Sequence, residues 1–445
     1  MSTLQLDFLL AWQPFGIDFV LVLYAIGAFI AIGVGLTLLI LFARARLVTS
    51  DNCTIKINED ESLTMCVKGG STLLSALSSH GIPIPSPCGG KATCKQCKVR
   101  VLEGVAPALQ TDIDTFTKKQ IKEGWRLSCQ AKVKSDLHIE VDEHALGVKE
   151  WEGTVISNNN VATFIKELVV EIPSESEIPY RAGGYLQIHV KPFKTNTSDW
   201  KSTMEPIFHQ DWEKYGLFEQ ELDFTHLPSS PNEVIRAYSL ASYPAEKQRV
   251  LFNIRIATPP FIAGKMQPTV PWGICSTYTF SLKPGDKIRL SGPYGESFMI
   301  NDERQLCFLI GGAGSSFARS HILHLFYTEN TKRPVALWYG ARSLRENIYQ
   351  DEYTKLAQEY PNFSYHLVLS EPLPEDVASG WPVQDQTKTN FLFKAFEEGQ
   401  LKLMEYPEQC LYYVCGPPMH NKSVLKLLDD YGVERSNIIL DDFGS

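Results

Sequence analysis

Cys88, Cys94 and Cys97 follow one another with the spacing C-x5-C-x2-C, and Cys129 lies 32 positions further on. A loop this short can wrap a small inorganic cluster and present thiolates to two metal ions. Gly89 and Gly90, in the first gap, let the backbone approach bridging sulfide and donate N–H groups to it. Zinc would prefer two short C-x2–4-C pairs or added histidines. Only one short pair is present, and the loop contains no histidine. The spacing therefore points to a [2Fe–2S] cluster on Cys88, Cys94, Cys97 and Cys129. Cys53 and Cys66 stand alone in strand-like sequence and are expected to be small core residues. Lys91, Lys95 and Lys98 surround the loop, either as solvated charge or as a dock for an acidic partner.

A second group of residues suits nucleotide binding. The apolar run 306–310 leads into Gly311-Gly312-Ala313-Gly314 and then a helix-like stretch, 317–326. A glycine turn between strand and helix sets bare N–H groups and the positive helix end against a pyrophosphate. Strands are expected at 335–339, 365–369 and 409–415, the last running into Cys415-Gly416-Pro417-Pro418. Arg342 follows the second strand, where a 2′-phosphate is read if one is present.

The elements that position these residues are legible in outline. Around the cysteines, 54–57 and 64–67 alternate as a hairpin, and 72–79 reads as a helix ending at Gly81. Between the cysteines and the glycine turn, short strands at 151–156, 168–171, 186–190, 251–256 and 287–291 alternate with turn signals, as in an antiparallel barrel. Between 190 and 236 lies an insertion with Trp200, Trp212, Tyr215 and Phe218. It is long for a connection inside one unit, which suggests a partner contact or a flap folded on its own barrel.

The chain has 445 residues, enough for about three domains. Its net charge of −9 argues against nucleic acid. Residues 51–147 hold 12 acidic and 12 basic side chains, so the negative charge falls on 148–445. Residues 19–43 carry no charge and as a helix span about 37 Å, enough for a hydrocarbon core of about 30 Å. The leader before them has Asp7 and Asp18 but no lysine or arginine, unlike a signal peptide. Arg44 and Arg46 follow at once, which places everything after residue 46 in the cytoplasm. Gly27, Ala31 and Gly35 share one helix face, open to close packing by another helix or simply typical of membrane helices.

Several motifs carry a resemblance. The cysteine spacing is similar to that of plant-type ferredoxins, with one extra residue in the first gap. Arg236-Ala237-Tyr238-Ser239 resembles the R-x-Y-S flavin motif of the ferredoxin–NADP reductase superfamily. Gly273-Ile274-Cys275-Ser276 resembles its second pyrophosphate-binding turn, and Cys415-Gly416-Pro417-Pro418 its C-G-P-P motif. The chain departs from the usual glycine motif at Ile310, where the superfamily has glycine, and at Phe317, where it has proline.

With one N-terminal helix and the terminal Leu440-Asp441-Asp442-Phe443-Gly444-Ser445, nearly the whole length resembles the F subunits of bacterial Na+-translocating NADH:quinone oxidoreductases. The resemblance implies a multidomain fold: anchor 1–50, α+β ferredoxin (β-grasp) 51–147, FAD-binding antiparallel β-barrel 148–300 and NADH-binding α/β domain 301–445. It implies that Arg236, Tyr238, Ser239, Gly273 and Ser276 hold FAD, and that Gly311, Gly312, Gly314 and Gly416 hold NADH. Ser239, Cys415 and Phe443 would lie at the hydride site, although Phe443 reads equally as a tail residue. NADH is favoured over NADPH. The expected activity is NADH oxidation through FAD and the [2Fe–2S] cluster, within an inner-membrane complex that reduces ubiquinone and exports Na+. Other subunits would be the partners, with quinone reached indirectly. The alternative is the reductase component of a multicomponent oxygenase, which shares the module order but usually lacks an anchor.

Overall fold

The computed structural model describes residues 19–47, 52–82, 84–86, 88–141, 149–173, 177–227, 233–262, 265–267 and 269–442. Phe443 and both ends of the expected cysteine-domain interval, 51 and 142–147, lie outside these residues. A helix runs over Phe19–Leu47, 29 residues long, with an apolar stretch of membrane-spanning length at Val20–Leu39.

The cysteine region forms a five-stranded sheet of β1 (Asn52–Ile57), β2 (Asp60–Lys68), β3 (Lys98–Glu103), β4 (Trp125–Leu127) and β5 (Leu137–Glu140), ordered β2-β1-β5-β3-β4. The β1–β2 hairpin is antiparallel and β5 joins β1 in parallel, as in a β-grasp. The helix Leu73–Ser79 begins where Thr72 accepts the Ser75 N–H at 3.2 Å. Its Leu73, Ala76 and Leu77 close the sheet's core. Cys53 is buried, but Cys66 is exposed. On β2 the inward places belong to Met65 and Val67, so strand alternation sends Cys66 outward.

The next unit is an antiparallel sheet of β6 (Lys149–Ala162), β7 (Ile165–Glu171), β8 (Tyr185–Val190), β11 (Val234–Ser239), β12 (Arg249–Arg255) and β15 (Lys287–Tyr294). Its order is β11-β8-β15-β6-β7-β12. The two outer strands meet through a bridge between Leu240 and Phe252 and a bond from the Ala241 N–H to the Leu251 carbonyl at 2.7 Å, which closes the barrel. Within the insertion, β9 (Phe193–Asn196) and β10 (Glu221–Phe224) form a ribbon, and the short helix His209–Lys214 lies between them. Trp200, Trp212 and Phe218 are buried with Trp272 and Phe280. The aromatics that suggested a partner contact are thus the core of a flap packed on its own barrel. A small ribbon, β13 (Phe261–Ile262) and β14 (Lys265–Met266), lies nearby in sequence.

The last unit is a parallel sheet of β16 (Leu306–Gly311), β17 (Val335–Ala341), β18 (Phe363–Leu369), β19 (Leu411–Cys415) and β20 (Ile438–Leu440), ordered β18-β17-β16-β19-β20. Every residue of β16 is buried because both faces are covered. Phe308 and Ile310 face one core and Cys307 and Leu309 the other. Strand order reverses between β16 and β19, which opens a crevice at their carboxyl ends.

Candidate functional site

Strand pairing explains how distant cysteines meet. Lys98 at the start of β3 pairs with Leu127 at the end of β4, so Cys97 and Cys129 lie side by side beyond that pair. Between Cys88 and Cys97 the backbone is left-handed at Gly89, Gly90, Ala92 and Lys95, which coils the loop around its own thiols. The Cys94 thiol donates to the Cys88 sulfur at 3.3 Å. That bond holds the Cys88 thiol well below its ordinary value and pushes Cys94 up. In the second pair, the bond between the thiols pushes Cys97 up and holds Cys129 down. Backbone N–H groups of Lys91 and Cys94 aim at the Cys88 sulfur, and that of Ala92 at Cys129. Four converging thiols with amide donors turned on their sulfurs fit a thiolate-held iron–sulfur cluster.

Two of the three flanking lysines have partners. Lys95 Nζ bonds the Asp114 carbonyl at 2.9 Å, and Lys98 Nζ lies 3.8 Å from Glu296 at the end of the barrel. The cysteine loop thus touches the flavin motif. A Cβ on Gly89, whose φ is +64°, would lie 2.0 Å from Arg236 Nη1, so a side chain there would strain the backbone and push the guanidinium aside. Tyr185 Oη donates to Gln96 Oε1 at 2.9 Å, and its ring stacks on Tyr294.

The expected flavin residues occupy one end of the barrel. Arg236, Tyr238 and Ser239 lie on β11, paired with β8. The helix Ile274–Ser281, with Gly273 at its start, packs against both strands. Ser276 Oγ accepts the Ala257 N–H at 3.1 Å and donates to the Gly273 carbonyl at 3.0 Å. Its hydroxyl therefore fixes the turn, which leaves the N–H groups of the helix start to meet a phosphate. Tyr238 is half-buried, its ring against the barrel core. These donors and the aromatic face fit a flavin dinucleotide.

In the parallel sheet, Ile310 pairs with Cys415, so the glycine turn and Cys415-Gly416 meet at the switch point. A Cβ on Gly314 would lie 2.5 Å from the Cys415 carbonyl oxygen. The two departures sit beneath this turn. Ile310 is a core residue of β16, and Phe317, fully buried, packs edge-on to His321 at 4.6 Å. Both extend the core and leave the glycine backbone free. Arg342, expected near a 2′-phosphate, is drawn to Asp211 at 3.3 Å.

One residue of the site escapes the sequence motifs. Asp441 follows β20, and its N–H bonds the Val414 carbonyl at 3.0 Å. Ser239 Oγ donates to Asp441 Oδ2 at 2.7 Å. This contact joins the flavin strand to the C-terminal tail across 202 positions, and no local pattern marks it. Burial, with the neighbouring charge of Asp442 adding, pushes the Asp441 carboxyl up to about 6. Cys415 is fully buried, and burial, followed by Asp441 and Asp442, pushes its thiol well up. Ser239, Cys415 and Asp441 therefore form one polar cluster between barrel and parallel sheet.

Three family models match the three units: a 2Fe-2S iron-sulfur cluster binding domain over 55–134, an oxidoreductase FAD-binding domain over 213–299 and an oxidoreductase NAD-binding domain over 308–425. The chain is 62% identical over 417 residues to the F subunit of the Na(+)-translocating NADH-quinone reductase of Chlamydia pneumoniae, covering 94% of this chain and 96% of that one. The chain belongs to the family of F subunits of Na(+)-translocating NADH-quinone reductases. The F subunit of the Actinobacillus succinogenes reductase is 46% identical over 422 residues, 95% of this chain and 98% of the relative. Among solved structures, an Amycolatopsis cytochrome P450 reductase shares the fold with a TM-score of 0.57 at 19% identity, covering 88% of this chain and 98% of that one. The ferredoxin reductase in carbazole 1,9a-dioxygenase shares it with 0.54 at 20%, with the same coverage. The oxygenase alternative thus finds a likeness of fold alone. Membership of the F-subunit family makes the chain an NADH-oxidising, FAD- and [2Fe–2S]-dependent oxidoreductase that works with other subunits.

Proposed function

We propose that the chain is the electron-entry subunit of its complex, taking hydride from NADH and releasing single electrons to neighbouring subunits. When bound, FAD supplies the hydride acceptor and the [2Fe–2S] cluster a one-electron carrier. The observation that carries the reading is the meeting of Ser239, Cys415 and Asp441 where barrel and parallel sheet join. In this reading Cys88, Cys94, Cys97 and Cys129 hold the cluster. Arg236 and the helix start at Gly273 neutralise the flavin pyrophosphate, and Tyr238 covers the ring. The turn Gly311, Gly312 and Gly314 cradles the nucleotide pyrophosphate. Gly416 and Cys415 leave room for the nicotinamide, while Ser239, held by Asp441, offers its hydroxyl beside the reacting atoms. Phe443 follows two residues later and is proposed to cover the flavin face.

The proposed units are an anchor 1–50, a ferredoxin domain 51–147, a flavin domain 148–300 and a nucleotide domain 301–445. The helix Phe19–Leu47 would cross the bacterial inner membrane once, with the remaining units on the cytoplasmic side. Quinone would be reduced elsewhere in the complex. The test is anaerobic addition of NADH to the full chain loaded with FAD and iron–sulfur cluster in detergent. Both absorption bands should bleach; a protein bleached only by dithionite would overturn the reading. For the topology, protease added to sealed inside-out vesicles should digest the soluble units, and protection would reverse the orientation.

A further inference from the structure

Among the described residues, the insertion between β8 and β11 meets the nucleotide unit around Asp211. Asp211, on the helix His209–Lys214, accepts from Arg342 Nη2 at 3.3 Å and from Arg345 Nη2 at 3.1 Å. Glu346 adds a second carboxylate, 3.5 Å from Arg342 and 3.6 Å from Arg345. The acids are held firmly. Trp212, beside Asp211, is fully buried and donates Nε1–H to the Thr163 carbonyl at 2.7 Å. Thr163 in turn bonds Glu346 through its hydroxyl and, at 3.1 Å, through its N–H. Of the two arginines only Arg342 reaches solvent, with 48% of its side chain exposed against 9% for Arg345.

Arg342 stands just beyond Ala341, the last residue of β17. At the carboxyl end of this second strand the ribose of a bound dinucleotide is read, and a free arginine there favours a 2′-phosphate. Here the guanidinium already has two carboxylates within 3.5 Å. A phosphate carrying roughly two negative charges would have to displace them and then sit against them. Arg255 is close enough for its charge to be disfavoured by Arg342, after burial, so the patch is not acidic overall. The discrimination lies in how the arginine is engaged, not in a simple excess of negative charge.

We propose that Asp211, supplied by the insertion, is a specificity-determining residue that with Glu346 occupies Arg342 and so selects a dinucleotide without a 2′-phosphate. The inference rests on the NADH-oxidising reading above and assigns a role to the insertion.

The test compares flavin reduction by NADH and by NADPH, as kcat/KM, in the full cofactor-loaded chain. Asp211→Asn should raise the NADPH-to-NADH ratio about tenfold, the effect of one nearby charge in a partly screened site. The double variant Asp211→Asn with Arg342→Ala should lose that gain, because the released arginine is what reads the phosphate. Asp199→Asn, on the same insertion but outside the cluster, should leave the ratio unchanged. A ratio within twofold of the parent in Asp211→Asn overturns the proposal. So does a gain that survives in the double variant, which would mean that unseating the flap is responsible, or a matching gain in Asp199→Asn. Should Asp211→Asn fail to fold, Glu346→Gln removes the other carboxylate and carries the same expectation. If NADH fails to reduce the parent flavin, the functional reading fails; an unaltered ratio with normal NADH reduction sinks only the role of Asp211.

Discussion

The molecule has two seams, and they are built differently. Between barrel and parallel sheet, Ala162 and Ile165 join the apolar core of the sheet, and a network of polar side chains crosses beside them. Arg319, 8% exposed, reaches across to Glu246 at 2.9 Å, while Glu352, on its own side of the seam, holds it at 2.8 Å. Tyr349 Oη lies 2.5 Å from a Glu167 carboxylate oxygen and 2.9 Å from Asn253 Oδ1, its one proton shared between them, while Asn253 Nδ2 donates to Ser315 Oγ at 2.8 Å. Between the cysteine loop and the barrel, the described contacts are one hydrogen bond from Tyr185, the exposed pair Lys98–Glu296 and the approach of Gly89 to Arg236. The difference matches the chemistry proposed for each seam. Hydride transfer needs its reacting atoms held about 3–3.5 Å apart and aligned. Single-electron transfer has no such directional bond to align, so a lighter seam suffices.

The largest effect is expected at the cysteines. Cys94→Ala should abolish the cluster's visible absorption and all electron exit, yet leave flavin reduction by NADH intact. Loss of flavin reduction as well would show that the two seams are not independent. The next largest effect is expected at the tight seam. Arg319→Ala removes the buried cation shared by Glu246 and Glu352, whose side chains are 25% and 29% exposed, so the loss should lie between the small effect of an exposed pair and the about 3–5 kcal/mol of a fully buried one. Thermal unfolding should show the lowered midpoint, and rapid mixing with NADH should show slower flavin reduction. Lys98→Ala, at the lighter seam, should change stability by about 0–1 kcal/mol, since exposed pairs contribute little.

Asp441 sharpens the tight seam through pH. Its carboxyl is raised in the fold to about 6, from 3.8. The folded chain therefore holds this proton more tightly than the unfolded one. The stabilisation is full below the unfolded value and is lost as pH rises through about 6. Flavin reduction by NADH should show an inflection near that pH as Ser239 loses or gains an anionic partner. Asp441→Asn should erase the inflection, and an unaltered profile would remove Asp441 from the hydride site. A kinetic effect confined to the lighter seam is expected from Tyr185→Phe, which deletes one neutral hydrogen bond of about 1 kcal/mol. It should slow cluster reduction a few-fold and leave flavin reduction unchanged, as rapid mixing can resolve.

What the sequence discloses follows the same division. The cysteine loop, the glycine turn and the barrel strands are local patterns, set by spacing and alternation within a few residues. They are legible, as is the family. The hairpin, the helix after Thr72 and β16 lie within a few residues of their expected bounds. Contacts that close the seams are not legible. Ser239 and Asp441 are 202 positions apart, and nothing near either marks the other. The aromatics of the insertion are visible, but whether Trp200 and Trp212 face outward or form a core depends on Trp272 and Phe280, which close over them from elsewhere in the chain. Ile310 and Phe317 look like losses in a binding motif; their side chains turn into the core, while the motif works through backbone. Cys66 is exposed against expectation because alternation on β2 does not by itself say which face turns inward.

On the proposed route, hydride enters at the tight seam and leaves as single electrons across the lighter one. Rapid anaerobic mixing of the full, cofactor-loaded chain with NADH, followed at flavin and cluster wavelengths, tests it most directly. Flavin absorbance should fall first, the cluster's should follow, and Cys94→Ala should retain only the first phase. Bleaching of the cluster ahead of the flavin, or no flavin phase in Cys94→Ala, would contradict it.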